Sequence, residues 1–289
     1  MKQPVFTGVC TALVTPFLNN EVNYPMVEQL VKRQVESGVN AIVLSGTTGE
    51  APTLSDHEKT ELIKRAKSYA GNSCKIIAGT GTNATSHAIR MSIAAEKAGA
   101  DALLVVSPYY NKGTADGLYS HFLAIAQSVD IPVILYNVPS RTGVDIPVSV
   151  YKKLSMQPNI VGVKEATADI TKIAKIRTVC PDDFYIWAGN DDQVVPVISL
   201  GGKGVISVLS NVCPEETCIM TDAALDGDFD TAAALQCRLM PLIELLFCEV
   251  NPVPVKYAMQ YAGYDCGNCR LPLGKLSKQT QLKIDTYFN

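Results

Sequence analysis

A lysine stands at the end of a short apolar segment near the middle of the chain. Ile160 to Val163 has the composition of a buried strand, and Lys164 and Glu165 follow it directly. In a barrel of parallel strands, catalytic groups collect at the carboxyl ends. Desolvation there disfavours the ammonium form of a lysine, which leaves free amine that can attack a ketone. Taken alone, such a lysine more often reaches water or pairs with its neighbour, so the accompanying residues must decide.

Other polar residues also follow apolar segments. A Gly46-Thr47-Thr48-Gly49 turn could direct N–H groups and hydroxyls at a carboxylate, although an ordinary turn with capping threonines fits equally well. Tyr110 and Tyr136 could simply form part of the wall of the site. Alternatively, together with a threonine hydroxyl, they could relay the protons that are transferred during imine formation. Arg141 could bind a second carboxylate through two parallel hydrogen bonds. The predicted mouth collects Thr47, Thr48, Glu50, Tyr109, Tyr110, Tyr136, Arg141, Lys164, Glu165, Asn190, Asp191 and Asp192.

Histidine is absent from this predicted set. All three histidines fall at or within predicted helices, so a metal held by imidazole and carboxylate is not expected. Asp191 and Asp192, after the seventh predicted strand, would repel a phosphate and suit capping of the next helix. We therefore expect neither a metal nor a cofactor.

Strands and helices alternate along most of the chain. Eight apolar strand segments are each followed by a helical pattern, which predicts a closed (β/α)8 TIM barrel over residues 1–226. A doubly wound open sheet shares this alternation, but the first strand–helix turn carries no glycine-rich dinucleotide motif. Residues 227–289 show helical patterns with no strands, which predicts a C-terminal helical extension packed on the barrel. The predicted strands are Gly8–Val14, Asn40–Ser45, Lys75–Gly79, Ala102–Val106, Val133–Tyr136, the segment ending at Lys164, Tyr185–Ala188 and Gly204–Val208.

Composition narrows the class of partner. The 289 residues are 47% hydrophobic and 18% charged with a net charge of −3, which argues against a nucleic-acid or anionic-membrane surface. The N-terminus lacks the apolar core of a signal peptide, and a cytoplasmic protein acting on a small molecule is expected. The nine cysteines are scattered, and the pair Cys266 and Cys269 is expected to be two ordinary reduced thiols.

Several motifs in order resemble one known family, the pyruvate-dependent class I aldolases that include dihydrodipicolinate synthase and N-acetylneuraminate lyase. The resemblance covers nearly the whole chain and extends into the helical tail through Asn251-Pro252-Val253-Pro254-Val255-Lys256. The matching segments are Gly46 to Glu50, Gly79 to Gly81, Ser107 to Asn111, Tyr136 to Gly143, Val163 to Glu165, Gly189 to Asp192 and Gly204 to Val208.

The resemblance implies a role for each matching residue. Lys164 would form the Schiff base with pyruvate, and Tyr136, Thr47 and Tyr110 would relay protons, with Tyr110 reaching the site of a neighbouring subunit. Thr47 and Thr48 would hold the pyruvate carboxylate, and the backbone of Ile206 would line the pocket. Arg141 would meet the carboxylate of aspartate semialdehyde, which favours the synthase branch of the family over lyases of sugar acids such as N-acetylneuraminate or 2-keto-3-deoxy acids. The implied assembly is a homotetramer, a dimer of tight dimers. A barrel that binds a keto acid without catalysis is a further hypothesis.

One departure concerns regulation. In lysine-inhibited members of the family, a cleft at the tight-dimer interface uses two histidines after the Gly-Glu motif and a glutamate near the start of the third helix. This chain has Asp56, Lys59 and His87 at the matching positions, while Asn83 and Tyr109 remain. An added cation and a lost acid should weaken binding of a cationic effector, so weak or absent inhibition by lysine is expected.

Overall fold

The barrel is formed by eight parallel strands that close on themselves. The computed structural model describes residues 1–289, and each strand pairs with its neighbours in chain order until the first meets the eighth. This confirms the predicted (β/α)8 barrel and excludes the open sheet. The strands are β1 (Gly8–Ala12), β2 (Ala41–Leu44), β3 (Lys75–Gly79), β4 (Ala102–Val106), β5 (Val133–Asn137), β6 (Ile160–Glu165), β7 (Tyr185–Ala188) and β8 (Gly204–Ser207).

Helices cover the outside of the barrel and continue beyond it. Helix α2 begins with a capping box, in which Ser55 accepts from the Glu58 backbone and the Glu58 carboxylate accepts from the Ser55 backbone. None of the helices combines the length and apolar character needed to span a membrane. They are α1 (Tyr24–Glu36), α2 (Asp56–Ala70), α3 (Thr85–Lys97), α4 (Ala115–Ala126), α5 (Val148–Leu154), α6 (Thr171–Val179), α7 (Val194–Ser199), α8 (Pro214–Leu225), α9 (Phe229–Phe247), α10 (Val253–Ala258) and α11 (Lys278–Phe288).

The predicted strand limits differ from the structure by at most two residues, and several short elements were missed. β1 ends at Ala12 instead of Val14, and β6 continues through Glu165. A short hairpin pairs Phe17–Leu18 with Glu21–Val22, and Pro139–Thr142 forms one helical turn after β5. These short elements are set by tertiary contacts and turn geometry, which hydrophobic periodicity does not report.

The register of β5, β6 and β7 brings the predicted catalytic groups together. Tyr136 lies opposite Lys164, and Lys164 lies opposite Trp187. Strands β6 and β7 can lie this close together because residue 162 is a glycine. A Cβ at Gly162 would come within 2.1 Å of the Tyr185 carbonyl oxygen. Two adjacent strands thus deliver a phenol and an amine to the same end of the barrel.

Residues 227–289 are joined to the barrel by buried charged contacts. The amine of Lys256 donates to the carboxylate of Glu50 at 2.9 Å and to the Thr15 carbonyl at 2.9 Å. Arg270 donates to both carboxylate oxygens of Glu58, at 2.6 and 3.0 Å. Because these partners lie on the barrel, we propose that the 227–289 extension depends on the 1–226 barrel for its fold.

Acid is expected to weaken the attachment of this extension through Glu58. The hydrogen bond from Arg270 lowers the pKa of Glu58 from 4.5 to about 2. The pair therefore stabilises the fold fully above pH 4.5, and its contribution is lost as the pH falls toward 2. In thermal unfolding, Glu58→Gln should lower Tm at neutral pH, and its difference from the parent protein should shrink in that acid window. Glu28→Gln, which removes an exposed pair with Lys32, is the control and should change Tm little at either pH. A gap between Glu58→Gln and the parent that stays constant with pH would contradict this assignment.

Candidate active site

Lys164 lies near the carboxyl end of β6 with only 5% of its surface exposed. Its Nζ is 4.5 Å from the centroid of the Tyr136 ring. The side chains of a strand alternate between the two faces of a sheet, so Lys164 enters the barrel and Glu165 leaves it. The site thus has an amine in an enclosed, aromatic-walled position, as Schiff-base chemistry requires.

A cavity of about 480 Å³ is lined by Tyr136, and Lys164 contacts the Tyr136 ring without lining the cavity itself. The cavity walls come from the loops after several strands and from the C-terminal extension. Several of the residues singled out in the sequence line it, among them Thr47, Tyr136, Arg141, Asn83 and Tyr109. Thr47, Tyr136 and Arg141 therefore share one continuous space with two residues of the proposed effector cleft, Asn83 and Tyr109.

Thr48 is buried just behind this wall and is held by a residue of the extension. The Asn251 side-chain amide donates to Thr48 Oγ1 at 2.9 Å, and the Asn251 carbonyl accepts from Arg141 Nη2 at 3.2 Å. Since Thr48 Oγ1 accepts from Asn251, its own proton stays available for a carboxylate. The Asn251 motif was recognised in the sequence, but no role in the site was assigned to it.

Four predicted site residues do not line the cavity within one chain. Lys164 and Thr48 each contact a residue that lines it, whereas Tyr110 and Ile206 lie elsewhere in the chain. Tyr110 is 88% exposed at the surface, and its backbone has a φ of 73°. Ile206 is fully buried in the barrel core, in the same apolar cluster as Tyr136 and Trp187. Their predicted roles remain proposals.

Three carboxylates that the sequence placed in the mouth are held by internal hydrogen bonds. Glu165 accepts from Asn137 behind the barrel wall, and Glu50 pairs with Lys256. Asp191 accepts at 2.9 Å from the backbone N–H groups of Val208 and Leu209, so the expectation that it caps the following helix is wrong. Burial raises the pKa of both Glu165 and Asp191.

Histidine reaches the outer part of the cavity, contrary to the sequence-based expectation. His87, in the first turn of α3, lines it, with Nε2 3.1 Å from the Asp56 carboxylate. Lys59 lines the same region and is nine-tenths buried, and burial lowers the pKa of its amine. No group of three or more His, Cys, Asp or Glu side chains is arranged to hold a metal ion.

A parallel (β/α)8 barrel with a buried lysine at a strand end and a phenol beside it defines a Schiff-base-forming lyase of the class I aldolase type. Family comparison makes this specific. The family model described as the dihydrodipicolinate synthetase family matches residues 5–288, and the chain belongs to this family.

Individual relatives are similar to this chain over nearly its full length. The chain is 46% identical over 279 residues to the 4-hydroxy-tetrahydrodipicolinate synthase of Acetivibrio thermocellus, covering 96% of this chain and 95% of the relative. The dihydrodipicolinate synthase structure from Aquifex aeolicus matches with a TM-score of 0.96 and 43% identity, covering 98% of this chain and 97% of that chain. The structure of the dihydrodipicolinate synthase (DHDPS) from Cyanidioschyzon merolae, solved with lysine bound, matches with a TM-score of 0.95 and 40% identity. The match covers 98% of this chain and 97% of that chain.

Proposed function

We propose that this chain joins pyruvate to L-aspartate 4-semialdehyde through a Schiff base on Lys164. The product is 4-hydroxy-tetrahydrodipicolinate, on the route to diaminopimelate and lysine. The observation that carries the proposal is the buried Lys164 amine over the Tyr136 ring, which lines a cavity together with Thr47 and Arg141. Full-length similarity to curated synthases supports the choice of substrates.

The first half of the reaction uses the amine and its nearby hydroxyls. Lys164 attacks the keto carbon of pyruvate, and the carbinolamine loses water to give an iminium ion. Tyr136 and Thr47 pass protons to the departing oxygen and away from the nitrogen. Thr48, its hydroxyl oriented by Asn251, and the backbone of Ile206 hold the pyruvate end. Loss of a methyl proton then gives the enamine.

The second half joins the two substrates. The enamine carbon attacks the aldehyde of aspartate semialdehyde, and the aldehyde oxygen takes a proton to become the 4-hydroxyl. Arg141 holds the carboxylate of this substrate, and its contact with the Asn251 carbonyl keeps the guanidinium at the cavity. The amino group of the substrate then displaces Lys164 from the imine, which closes the ring and frees the enzyme.

Borohydride reduction with pyruvate, followed by peptide mass analysis, tests the first half. The expected adduct is on the peptide that contains Lys164, and its absence would favour a barrel that binds keto acids without catalysis. Activity with pyruvate and each aldehyde in turn tests the second half. Arg141 favours aspartate semialdehyde, and a preference for a polyhydroxylated aldehyde would instead support a sugar-acid aldolase.

We propose that the enzyme works as a homotetramer built from tight dimers in the cytoplasm. Nine free thiols suit a reducing compartment. The exposed position of Tyr110 suits a residue that serves the site of a neighbouring subunit.

Subunit complementation is expected to reveal the shared site. Lys164→Ala and Tyr110→Phe should each be nearly inactive, because one lacks the nucleophile and the other lacks a relay hydroxyl. If Tyr110 crosses to the neighbour, a mixed dimer contains one site with both groups intact, so unfolding and refolding the two variants together should restore activity. Refolding each variant by itself is the control. Mixtures that stay as inactive as the separate variants, although mass analysis shows hybrid assemblies, would place Tyr110 outside the neighbour's site.

Lysine is expected to inhibit this enzyme weakly or not at all. Lys59 lies in the cavity near Asn83 and Tyr109, and its positive charge opposes a cationic ligand. Titration of the condensation rate with L-lysine should show little change up to millimolar concentration, on the scale of ordinary small-molecule affinities. Lys59→Met should strengthen any inhibition that remains. Strong inhibition of the parent protein at sub-millimolar lysine would contradict this prediction.

A further inference from the structure

A cluster of buried polar side chains lies behind the strands that carry Tyr136 and Lys164. Its centre is the carboxylate of Glu165, which is 1% exposed, and Asn137, Tyr151 and Lys172 around it are also buried. The proposed chemistry uses none of these four groups. A buried carboxylate is costly unless hydrogen bonds compensate for its lost solvation, so each contact that Glu165 keeps has a structural reason.

Glu165 is bonded in two directions. Toward β5, its Oε1 accepts from Asn137 Nδ2 at 2.7 Å. Toward the outer helices, its Oε2 accepts from the Tyr151 hydroxyl at 3.0 Å, and the Lys172 amine is 3.6 Å away. Oε1 also accepts from the backbone N–H of Thr167, at 3.0 Å, which fixes the start of the loop after β6.

Asn137 is also held by the segment that follows β5. Its Oδ1 accepts from the Ile146 backbone at 3.0 Å, and its Nδ2 also donates to Asp145 at 2.8 Å. Asp145 in turn accepts from Lys172, which closes a ring of contacts around the two strand ends. Each side chain of the Asn137–Glu165 bond is therefore also held by further contacts.

The position of this bond connects it to the reacting groups. Asn137 lies opposite Glu165 in the register of β5 and β6, and Tyr136 lies opposite Lys164 one residue earlier. Because side chains alternate, one pair faces the cavity and the next pair faces the outer layer. The bond therefore crosses between the two strands directly behind the amine and the phenol.

We propose that Glu165 and Asn137 are positioning residues that hold the Lys164 amine and the Tyr136 hydroxyl at the separation required for imine formation. This inference rests on the proposed function of Lys164. The cross-strand contact from Oε1 sets the spacing of the reacting groups. The outer contacts from Oε2 attach helices α5 and α6 and contribute to stability alone.

Substitutions at Glu165 separate these two contributions. Glu165→Gln retains an oxygen that accepts from Asn137, so imine formation should stay close to that of the parent protein. Glu165→Leu keeps a similar volume and removes the cross-strand bond, and misplacement of reacting groups should slow borohydride-trappable imine formation and kcat by about ten- to a hundredfold. Asn137→Leu cuts the same bond from β5 and should give the same loss.

Tyr151→Phe is the matched control, because it removes a buried hydrogen bond to the same carboxylate on the outer side. It should lower Tm with kcat unchanged. All rates are measured below the Tm of every variant, with pyruvate KM determined alongside, and the loss in the two leucine variants should fall mainly on kcat.

The outcomes also separate this inference from the proposed function. If the parent protein forms no adduct on Lys164, the proposed function itself fails. If the parent forms the adduct and Glu165→Leu forms it at the same rate, the positioning role is wrong. Glu165→Gln losing as much as Glu165→Leu would assign the effect to charge and overturn it, as would an equal loss of kcat in Tyr151→Phe.

Discussion

Replacing Lys164 with alanine is expected to abolish pyruvate trapping and to lower kcat/KM for the condensation by about 10³-fold or more, since loss of a covalent nucleophile is among the largest single-residue effects in enzymes. The physical reason is specific to this nitrogen. It is the amine enclosed at the end of β6, directly over the Tyr136 ring. Without it, the keto acid has no covalent attachment and its methyl carbon is not activated as an enamine.

The Lys164→Arg variant serves as the charge control. It keeps a cation over the Tyr136 ring but offers a guanidinium, which stays protonated and is not a nucleophile. We expect it to be as inactive as Lys164→Ala in single-turnover trapping, while circular dichroism shows both folded. A trapped pyruvate adduct in Lys164→Ala, or turnover near the parental rate in either variant, would remove the basis of the proposed mechanism.

Replacing Tyr136 with phenylalanine is expected to slow the reaction by about 10²- to 10⁴-fold, the usual range for loss of a proton-transfer group. Phenylalanine keeps the ring over which the Lys164 amine lies and removes the hydroxyl alone. The loss should therefore appear in kcat and in the rate of pyruvate trapping, while the final extent of trapping is retained.

Tyr185→Phe provides the matched control for this substitution. The Tyr185 hydroxyl donates to the Lys2 carbonyl at 2.7 Å, at the start of β7 and away from the mouth. The same atom is removed from the same kind of side chain, so kcat should be unchanged. An unaffected Tyr136→Phe, or an equal loss in Tyr185→Phe, would show that the Tyr136 hydroxyl is not the relay.

The local pattern of the sequence was sufficient to predict the barrel and the positions of Lys164 and Tyr136 at its strand ends. Short continuous apolar segments, separated by amphipathic helices, indicate strands that are buried on both faces. The chemistry of Lys164 and Tyr136 could be predicted because each ends such a segment. The placement of Glu165 in the mouth was wrong, because its position at a strand end was used without asking which face its side chain occupies. The helix-capping role expected of Asp191 was wrong because its carboxylate accepts from the backbone after β8 instead.

Contacts between distant parts of the chain could not be predicted in the same way. Asn251 reaches Thr48 from 203 residues away, through an extension whose docking depends on buried charges and not on a repeating pattern. The exposure of Tyr110 depends on which surfaces other subunits cover. A single sequence carries little local signal for either kind of contact.

The alternation within β6 bears on transplanting this chemistry into other scaffolds. A designer who installs a lysine at the end of a strand in a host barrel transfers the nucleophile without the carboxylate that follows it or the amide across from it. If the proposed positioning role is correct, such grafts would bind keto acids but convert them slowly. The smallest transferable unit would then be a block of four residues, two on each of two adjacent strands.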